Sequence, residues 1–452
     1  LYAGVKALSD FCCALHINVP TGKDSLSMTQ QYPDGKKIIA PGTVIVSAGG
    51  EVSDVRRVVR PVVVNDPASR LYYIDFSSAP LALGGSAFAQ TLGRVGSDVP
   101  TVADAEAFRR AFAAVQKLVS QELLLAGHDV SAGGLVTTLL EMCFANTKGG
   151  LELSLDALSP ASDFAHTLFA ENPAVVVQVA DAHNEAFSAV LAEAGVAAVE
   201  LGRPVEGRTL TLRRADRQLA LDIDALREDW YGTSAEMDTF QSFHGCAEQR
   251  AHNYKSQPLN FRLPASFDGS FATLGVSPDR RTPSGVRAAI IREKGTNGER
   301  EMAYMLHLAG FDVKDVTMTD LVSGRETLDE VNFIVFCGGF SNSDVLGSAK
   351  GWAGAFLFNP KAKAALDRFY ARPDTLSLGV CNGCQLMVEL GLVNPEHTDR
   401  RARMLHNDSH KFESGFVGVD VAPNETVLFS SLSGSRLGIW VAHGEGKFNL
   451  PR

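Results

Sequence analysis

The chain has 452 residues, enough for about three domains of ~100–200 residues each and for well-buried cores. Its formal charge of −10, from 42 basic and 52 acidic residues, disfavours nucleic acid or an anionic membrane as the main partner. No apolar run approaches the ~20 residues that a membrane-spanning helix needs.

In chain order, the opening LYAGVKALSDFCCALHINVP has helical spacing, interrupted by Lys6, Asp10 and His16. It has no signal-peptide layout. It lacks an initiator Met and reads as the middle of a helix, so a fragment of a longer protein is expected. The seven cysteines are odd in number and sparse, which suits reduced thiols and a cytoplasmic setting. The loop VPTGKDSLSM and a strand-like run VIVSAGGEV follow. From residue 69 to 215, β-rich runs such as LYYIDF and VVVQV alternate with helical patterns such as AEAFRRAFAAVQKLVSQELLLAG and AHNEAFSAVLAEAG. Periodicity fades over 216–285, where Asn253–Gly285 alone holds four prolines, and this stretch reads as a linker. Alternation returns over 286–452: VRAAIIRE (strand), GTNGEREMAYMLHLAG (turn and helix), FDVKDVTM and FIVFCGGFS (strands), then TLSLGVCNGCQLMVELG. Strand, helix and strand at this spacing imply parallel crossovers and a three-layer α/β sheet.

The chemistry gathers at GVCNGCQ, residues 379–385. An apolar strand enters this corner and a helix leaves it, which places Cys381 at the carboxyl edge of the sheet, where α/β folds bind ligands. Gly379 and Gly383 allow a tight elbow. The helix N-terminus turns unpaired N–H groups and a positive dipole end towards Cys381, favouring thiolate. The backbone N–H of Asn382 would then face a developing oxyanion, and the glycines of FCGGFS, Gly339 among them, offer the second donor. A zinc site lacks two further ligands nearby. A redox C-x-x-C pair and a plain buried turn are the other readings of the corner, and Cys384, one helical turn on, reads as packing.

G-x-C-x-G-x-Q resembles the nucleophile motif of class I glutamine amidotransferases. The variant GVCNGCQ, with CGGFS upstream and AHGEGKF downstream, resembles the phosphoribosylformylglycinamidine synthase family of the large single-chain type. GKDSLSM (22–28) and HDVSAGGL (128–135) match motifs of that family's duplicated synthetase core. The resemblance implies an α/β and α+β multidomain protein. Residues 1–68 would be the remnant of a second synthetase A-type domain and 69–215 a B-type, AIR-synthetase-like domain. A linker over 216–285 would lead to a flavodoxin-like class I glutaminase domain over 286–452. It implies glutamine and formylglycinamide ribonucleotide as substrates, with ATP/ADP and Mg²⁺, and the missing portions of the same enzyme as partners. Asp129 would bind the metal and Ser131 the nucleotide. Taken alone, D-x-S-x-G-G is a helix-capping pattern, although a carboxylate and a hydroxyl at a glycine-rich helix start also suit Mg²⁺–nucleotide.

The resemblance also implies an incomplete set. In the family the triad's H-P-E follows the HGEG segment, so His443 and Glu445 are expected to be structural or substrate-loop residues, and the isolated chain is expected to be inactive. One departure is FSNSD, where the family more often has a Tyr-Gly pair before the Asp. Two other functions fit the residues alone: a stand-alone glutaminase or cysteine hydrolase, and an inert nucleotide-holding scaffold.

Overall fold

The computed structural model describes all residues except 1, 24–27, 41, 161, 244, 257–259, 394, 396–400 and 451–452. It divides into two compact units, Leu1–Thr233 and Ser234–Arg452. Among the described residues no helix is long and apolar enough to cross a membrane.

The first unit is built on a seven-stranded sheet. Its strands in chain order are β1 (Ser69–Asp75), β2 (Ala126–Val130), β3 (Gly150–Ser154), β4 (Ala174–Ala180), β5 (Ala198–Val205), β6 (Thr209–Arg214) and β7 (Arg217–Asp222). They lie in the order β2-β4-β1-β5-β3-β6-β7, antiparallel except for the β3–β6 pair. Successive side chains of β1 feed opposite faces, as a pleated strand requires. Tyr72 and Ile74 pack with Ala111, Ala114 and Leu118 of the helix Ala105–Ser120 and with Phe187 and Val190 of the helix Asn184–Ala194. Leu71 and Tyr73 face Leu135, Leu139 and Met142 of the helix Gly134–Phe144. Asp104 starts the first of these helices by accepting the N–H groups of Glu106 and Ala107.

Three expectations need correction here. The run VIVSAGGEV is not a strand: residues 44–52 carry no regular structure, and Ile45 is 85% exposed. A strand needs a partner for its N–H and C=O groups, and β propensity does not supply one. The helix after Ala105 ends at Ser120, short of the helical pattern that runs on to Gly127, and Asp129 follows within β2. The linker reading fails over its first part. Arg217–Asp222 forms a hairpin with β6 across Ala215 and Asp216, and Ile223–Gln241 is a helix. Leu219 and Leu221 of β7 pack against the core while Gln218, Ala220 and Asp222 are exposed, so the alternation was present but short.

The second unit holds a four-stranded parallel sheet of β8 (Arg287–Arg292), β9 (Asp312–Thr317), β10 (Phe333–Phe336) and β11 (Leu376–Gly379) in the order β9-β8-β10-β11. Ala288, Ala289, Ile290 and Ile291 are all buried, the continuous apolar run of a strand covered on both faces. One face packs Ala289, Ile291, Ile334 and Phe336 against Trp352, Phe356 and Phe369, from the helices Lys350–Leu357 and Pro360–Ala371. The other packs Ala288, Ile290 and Val335 against Leu306 of the helix Glu299–Leu308. The carboxyl ends of β10 and β11 lead directly into CGGFS and GVCNG.

The proline-rich stretch is tied to this sheet by Arg280. Its guanidinium donates to the Phe311 carbonyl (2.6 Å) and to Asp312 (3.0 Å). The N–H groups of Ser284 and Gly285 also donate to Asp312, at 3.0 and 2.8 Å. These two backbone bonds, joined by the Arg280 bond, hold the Asp312 carboxyl well below the usual carboxylate range, at about 2. A depressed folded-state pKa contributes stability that is complete above the unfolded value near 3.8 and is lost as pH falls towards 2. Asp312→Asn is therefore expected to weaken the acid dependence of unfolding between those limits, read from denaturant midpoints at pH 2.5 and pH 6. An unchanged pH dependence would show that this carboxylate does not hold the stretch.

Candidate active site

At the end of β11 the chain turns through Cys381, whose φ of 52° and ψ of −109° lie outside the regions comfortable for an L-residue. The turn is pinned on three sides. Val380 N–H donates to the Phe336 carbonyl (3.1 Å), Gly383 N–H to Val380 (2.8 Å), and Gln385 N–H to Cys381 (3.1 Å). Gly383 is required sterically, since a Cβ there would lie 2.1 Å from the Phe336 carbonyl oxygen. The result is a strand-to-helix elbow that displays its central side chain. Cys381 is exposed, whereas Cys337 is buried and Cys384 half-buried. Burial pushes the Cys337 thiol up to about 11 and raises that of Cys384, with the neighbouring Cys381 adding to the second effect. Of the three thiols at this corner, Cys381 is the one placed to react.

The loop after β10 approaches it closely: a Cβ added at Gly338 would sit 3.3 Å from that of Cys381. Gly338–Gly339 forms a short antiparallel ladder with Thr296–Asn297. Phe340 N–H donates to the Gly295 carbonyl (2.9 Å), which makes Thr296–Gly339 the pair without mutual hydrogen bonds. The Gly339 N–H thus lies outside the ladder. Asn382 opens the helix, so its backbone N–H has no intrahelical acceptor. The two donors expected to face an oxyanion are therefore brought to the same corner as Cys381.

The side chain of Asn382, 1% exposed, joins these pieces. Its carbonyl oxygen accepts Ser341 N–H (3.2 Å), and its amide donates to Asp344 (3.1 Å) and to Gln385 Oε1 (3.0 Å). Gln385 Nε2 in turn donates to the Glu445 carbonyl oxygen (3.0 Å). In FSNSD, Asn342, Ser343 and Asp344 all have positive φ, near 50°. The departure from the family pattern thus falls on a backbone that favours glycine.

His443 and Glu445 are engaged elsewhere. His443 Nδ1 lies 2.9 Å from Asn407 Oδ1. The Glu445 carboxylate accepts Ser348 N–H (3.3 Å) and lies 3.7 Å from His406 Nε2. Hydrogen bonding from Ser348 holds the Glu445 carboxyl below its ordinary range, against the opposing effect of burial. Asp344, Ser348 and Asn407 belong to this site and were not singled out from the sequence. They lie in irregular loops, and their contacts span 36 to 97 residues of chain.

In the first unit, Asp129 ends on the edge strand β2 with its side chain 71% exposed. Ser131 is also exposed, and its carbonyl accepts Gly134 N–H (2.9 Å) at the helix start. His128 Nδ1 lies 2.9 Å from the Asp129 carbonyl oxygen and its Nε2 3.4 Å from Glu141, the contacts of a structural residue. Glu171 is also structural, since its Oε1 accepts the N–H groups of Gly133 and Ala87, both at 2.8 Å. Asp129 supplies one carboxylate. Among the described residues no group of three His, Cys, Asp or Glu comes together to hold a metal, so these residues do not form a Mg²⁺ site by themselves. Asp24–Ser27 of GKDSLSM lie outside the described residues.

Comparison with known proteins matches three family models: a CobB/CobQ-like glutamine amidotransferase domain over 285–452, the C-terminal domain of AIR synthase related proteins over 74–214, and an FGAR-AT PurM_N-like domain over 1–51. The "Probable phosphoribosylformylglycinamidine synthase, chloroplastic/mitochondrial" of Arabidopsis thaliana is 36% identical over 100% of this chain and 32% of its own length. The "Phosphoribosylformylglycinamidine synthase" of Homo sapiens is 39% identical over 97% of this chain and 34% of its own. The probable enzyme of that name from Caenorhabditis elegans is 35% identical over 98% and 34%. The chain thus spans about a third of the length of the curated relatives it matches.

The strain at the elbow is measurable. Cys381→Gly relieves a backbone conformation costing about 1–3 kcal/mol, so it should be more stable than Cys381→Ala by about that amount in denaturant unfolding. Equal stability of the two variants would mean that the elbow is not strained. Gly383→Ala is expected to destabilise the unit and to slow the reaction of Cys381 with iodoacetamide.

Proposed function

Because the chain belongs to the phosphoribosylformylglycinamidine synthase family, we propose that its Ser234–Arg452 unit carries the glutamine-hydrolysing centre of that ligase and its first unit part of the synthetase core. The observation that carries this reading is the exposed Cys381, on a strained strand-to-helix elbow that the Gly338–Gly339 loop approaches closely and that Asn382 follows at the helix start.

In this reading the Cys381 thiolate attacks the side-chain amide carbon of glutamine. The carbonyl oxygen takes up negative charge facing the N–H groups of Asn382 and Gly339, a contribution typically worth about 3 kcal/mol per donor. Collapse breaks the C–N bond as the leaving nitrogen takes from solvent water a proton equivalent to the one the Cys381 thiol gave up on ionising; ammonia departs and a thioester to Cys381 remains. Water then hydrolyses the thioester, giving glutamate and the free thiol. The ammonia is the nitrogen source for converting formylglycinamide ribonucleotide to its amidine at the expense of ATP. In the first unit, Ser131 would contact the nucleotide. Asp129 would offer one oxygen ligand to Mg²⁺, with the other ligands supplied from outside this residue set. The domain limits that fit are 1–68 and 69–215 for the synthetase part and 286–452 for the glutaminase part, with 217–241 now assigned to strand and helix. The plant relative's name places that protein in the chloroplast or mitochondrion, so membership of the family does not by itself fix the compartment.

His443 and Glu445 have no part in this mechanism as base and acid, since their side chains are committed to Asn407 and Ser348. The chain should accordingly be alkylated at Cys381 by the chloroketone analogue of glutamine, one equivalent per chain, saturably and with protection by glutamine. Cys381→Ala should abolish labelling. Unsaturable labelling without glutamine protection would overturn the proposal. Glutamine turnover abolished by His443→Ala would overturn the role given to that histidine.

A further inference from the structure

Asn407 stands in the loop that follows the short strand Arg403–Leu405, which pairs with Lys447–Asn449, and is 8% exposed. Its side chain has two donor hydrogens and an acceptor oxygen, and all are used. Nδ2 donates to the carbonyls of His443 (2.7 Å) and Lys411 (3.1 Å). Oδ1 accepts Gly446 N–H (3.2 Å) and faces His443 Nδ1 at 2.9 Å. Its backbone N–H donates to the Gly444 carbonyl (2.9 Å). One residue thus closes the His443–Gly446 turn from both ends. Lys411, the other residue it grips, pairs its ammonium with Asp238, which is 7% exposed and also pairs with Arg250. The loop is therefore anchored on both sides.

The turn so held reaches the nucleophile helix. Glu445 gives its carbonyl to Gln385 and its carboxylate to Ser348 N–H. Gln385 lies in the first turn of the helix that follows Cys381, and its backbone N–H donates to the Cys381 carbonyl (3.1 Å). The turn is therefore held against the first turn of the helix that begins next to Cys381.

We propose that Asn407 is a positioning residue for glutamine: by closing the His443–Gly446 turn onto Gln385 and Ser348, it forms one wall of the site in which the amino-acid substrate meets Cys381. The inference rests on the glutaminase reading above. It explains why the position needs an amide. Aspartate has the same shape, but it would set a carboxylate against two carbonyl oxygens and lose both donors.

Saturable alkylation of the whole chain by the chloroketone analogue tests this, with iodoacetamide, which needs no substrate site, as the control. In Asn407→Asp the analogue's half-saturating concentration should rise about tenfold or more, because a displacement of the order of 1 Å at a site costs that much. The iodoacetamide rate should stay unchanged. His443→Ala, which removes one side-chain contact and leaves the backbone ones, should shift it in the same direction by less. Parallel loss of both reactivities in either variant would assign Asn407 to general stability and overturn the inference, as would unaltered half-saturation in both. Absence of saturable labelling in the unsubstituted chain would instead overturn the glutaminase reading itself.

Discussion

The left-handed backbone at Cys381 is the constraint on which the second unit is organised. A φ of 52° with a ψ of −109° costs about 1–3 kcal/mol and persists only where the surroundings over-determine it. Here the surroundings are the β10–β11 pairing below and the helix Asn382–Glu389 above, with Leu386 fully buried in the same core as Phe336 and Trp352. The helix can come down so close because position 383 has no side chain to strike the Phe336 carbonyl. Burial of an apolar helix face is thus what opposes the strain, and the strain is what turns the one polar-active side chain of the corner outward.

Around this point, polar groups form a connected set. Asn382 links Ser341 and Asp344 to Gln385, Gln385 links to Glu445, and Asn407 fixes the turn that carries Glu445. Buried amides suit this task because each can donate and accept at once without adding charge to a low-dielectric site. The ionised members, Asp344 and Glu445, take backbone N–H groups of Ala349 and Ser348 at the half-exposed margin, where desolvation is only partial. Two loops far apart in sequence are thereby held to one helix by side chains and not by strand pairing.

That division explains what could be read from the sequence. A parallel strand covered on both faces appears as an uninterrupted apolar run, so Ala288–Ile291 and Phe333–Phe336 were legible. The elbow was also legible, because its geometry demands glycine at fixed offsets from the nucleophile. Val44–Val52 misled, since its composition suits a strand but pairing is a property of neighbours. Arg217–Asp222 was missed because a short edge strand offers only Leu219 and Leu221 to the core, with Ala220 between them blurring the alternation. The tie from Glu171 to Gly133 and Ala87, like the Asn407 clamp, leaves no local signature, because its partners are backbone groups brought together by the rest of the fold.

The two candidate sites differ in how much they can do with local parts. At the Cys381 corner, the thiol and the glycine-rich loop beside it come from the ends of the adjacent strands β11 and β10 of one sheet, so folding of that sheet assembles them. At β2 the hydroxyl and carboxylate of Ser131 and Asp129 are presented at a sheet edge, with the surrounding backbone fixed by Glu171 but the side chains open to solvent. A hard cation such as Mg²⁺ takes about six oxygens and draws several from phosphate and water, so one exposed carboxylate confers little affinity. In the reading proposed above, a metal at Asp129 would be held together with the nucleotide, each bringing ligands that the other lacks. The thiol corner needs no such outside ligand: the elbow, the Gly338–Gly339 loop and the turn closed by Asn407 all belong to one unit.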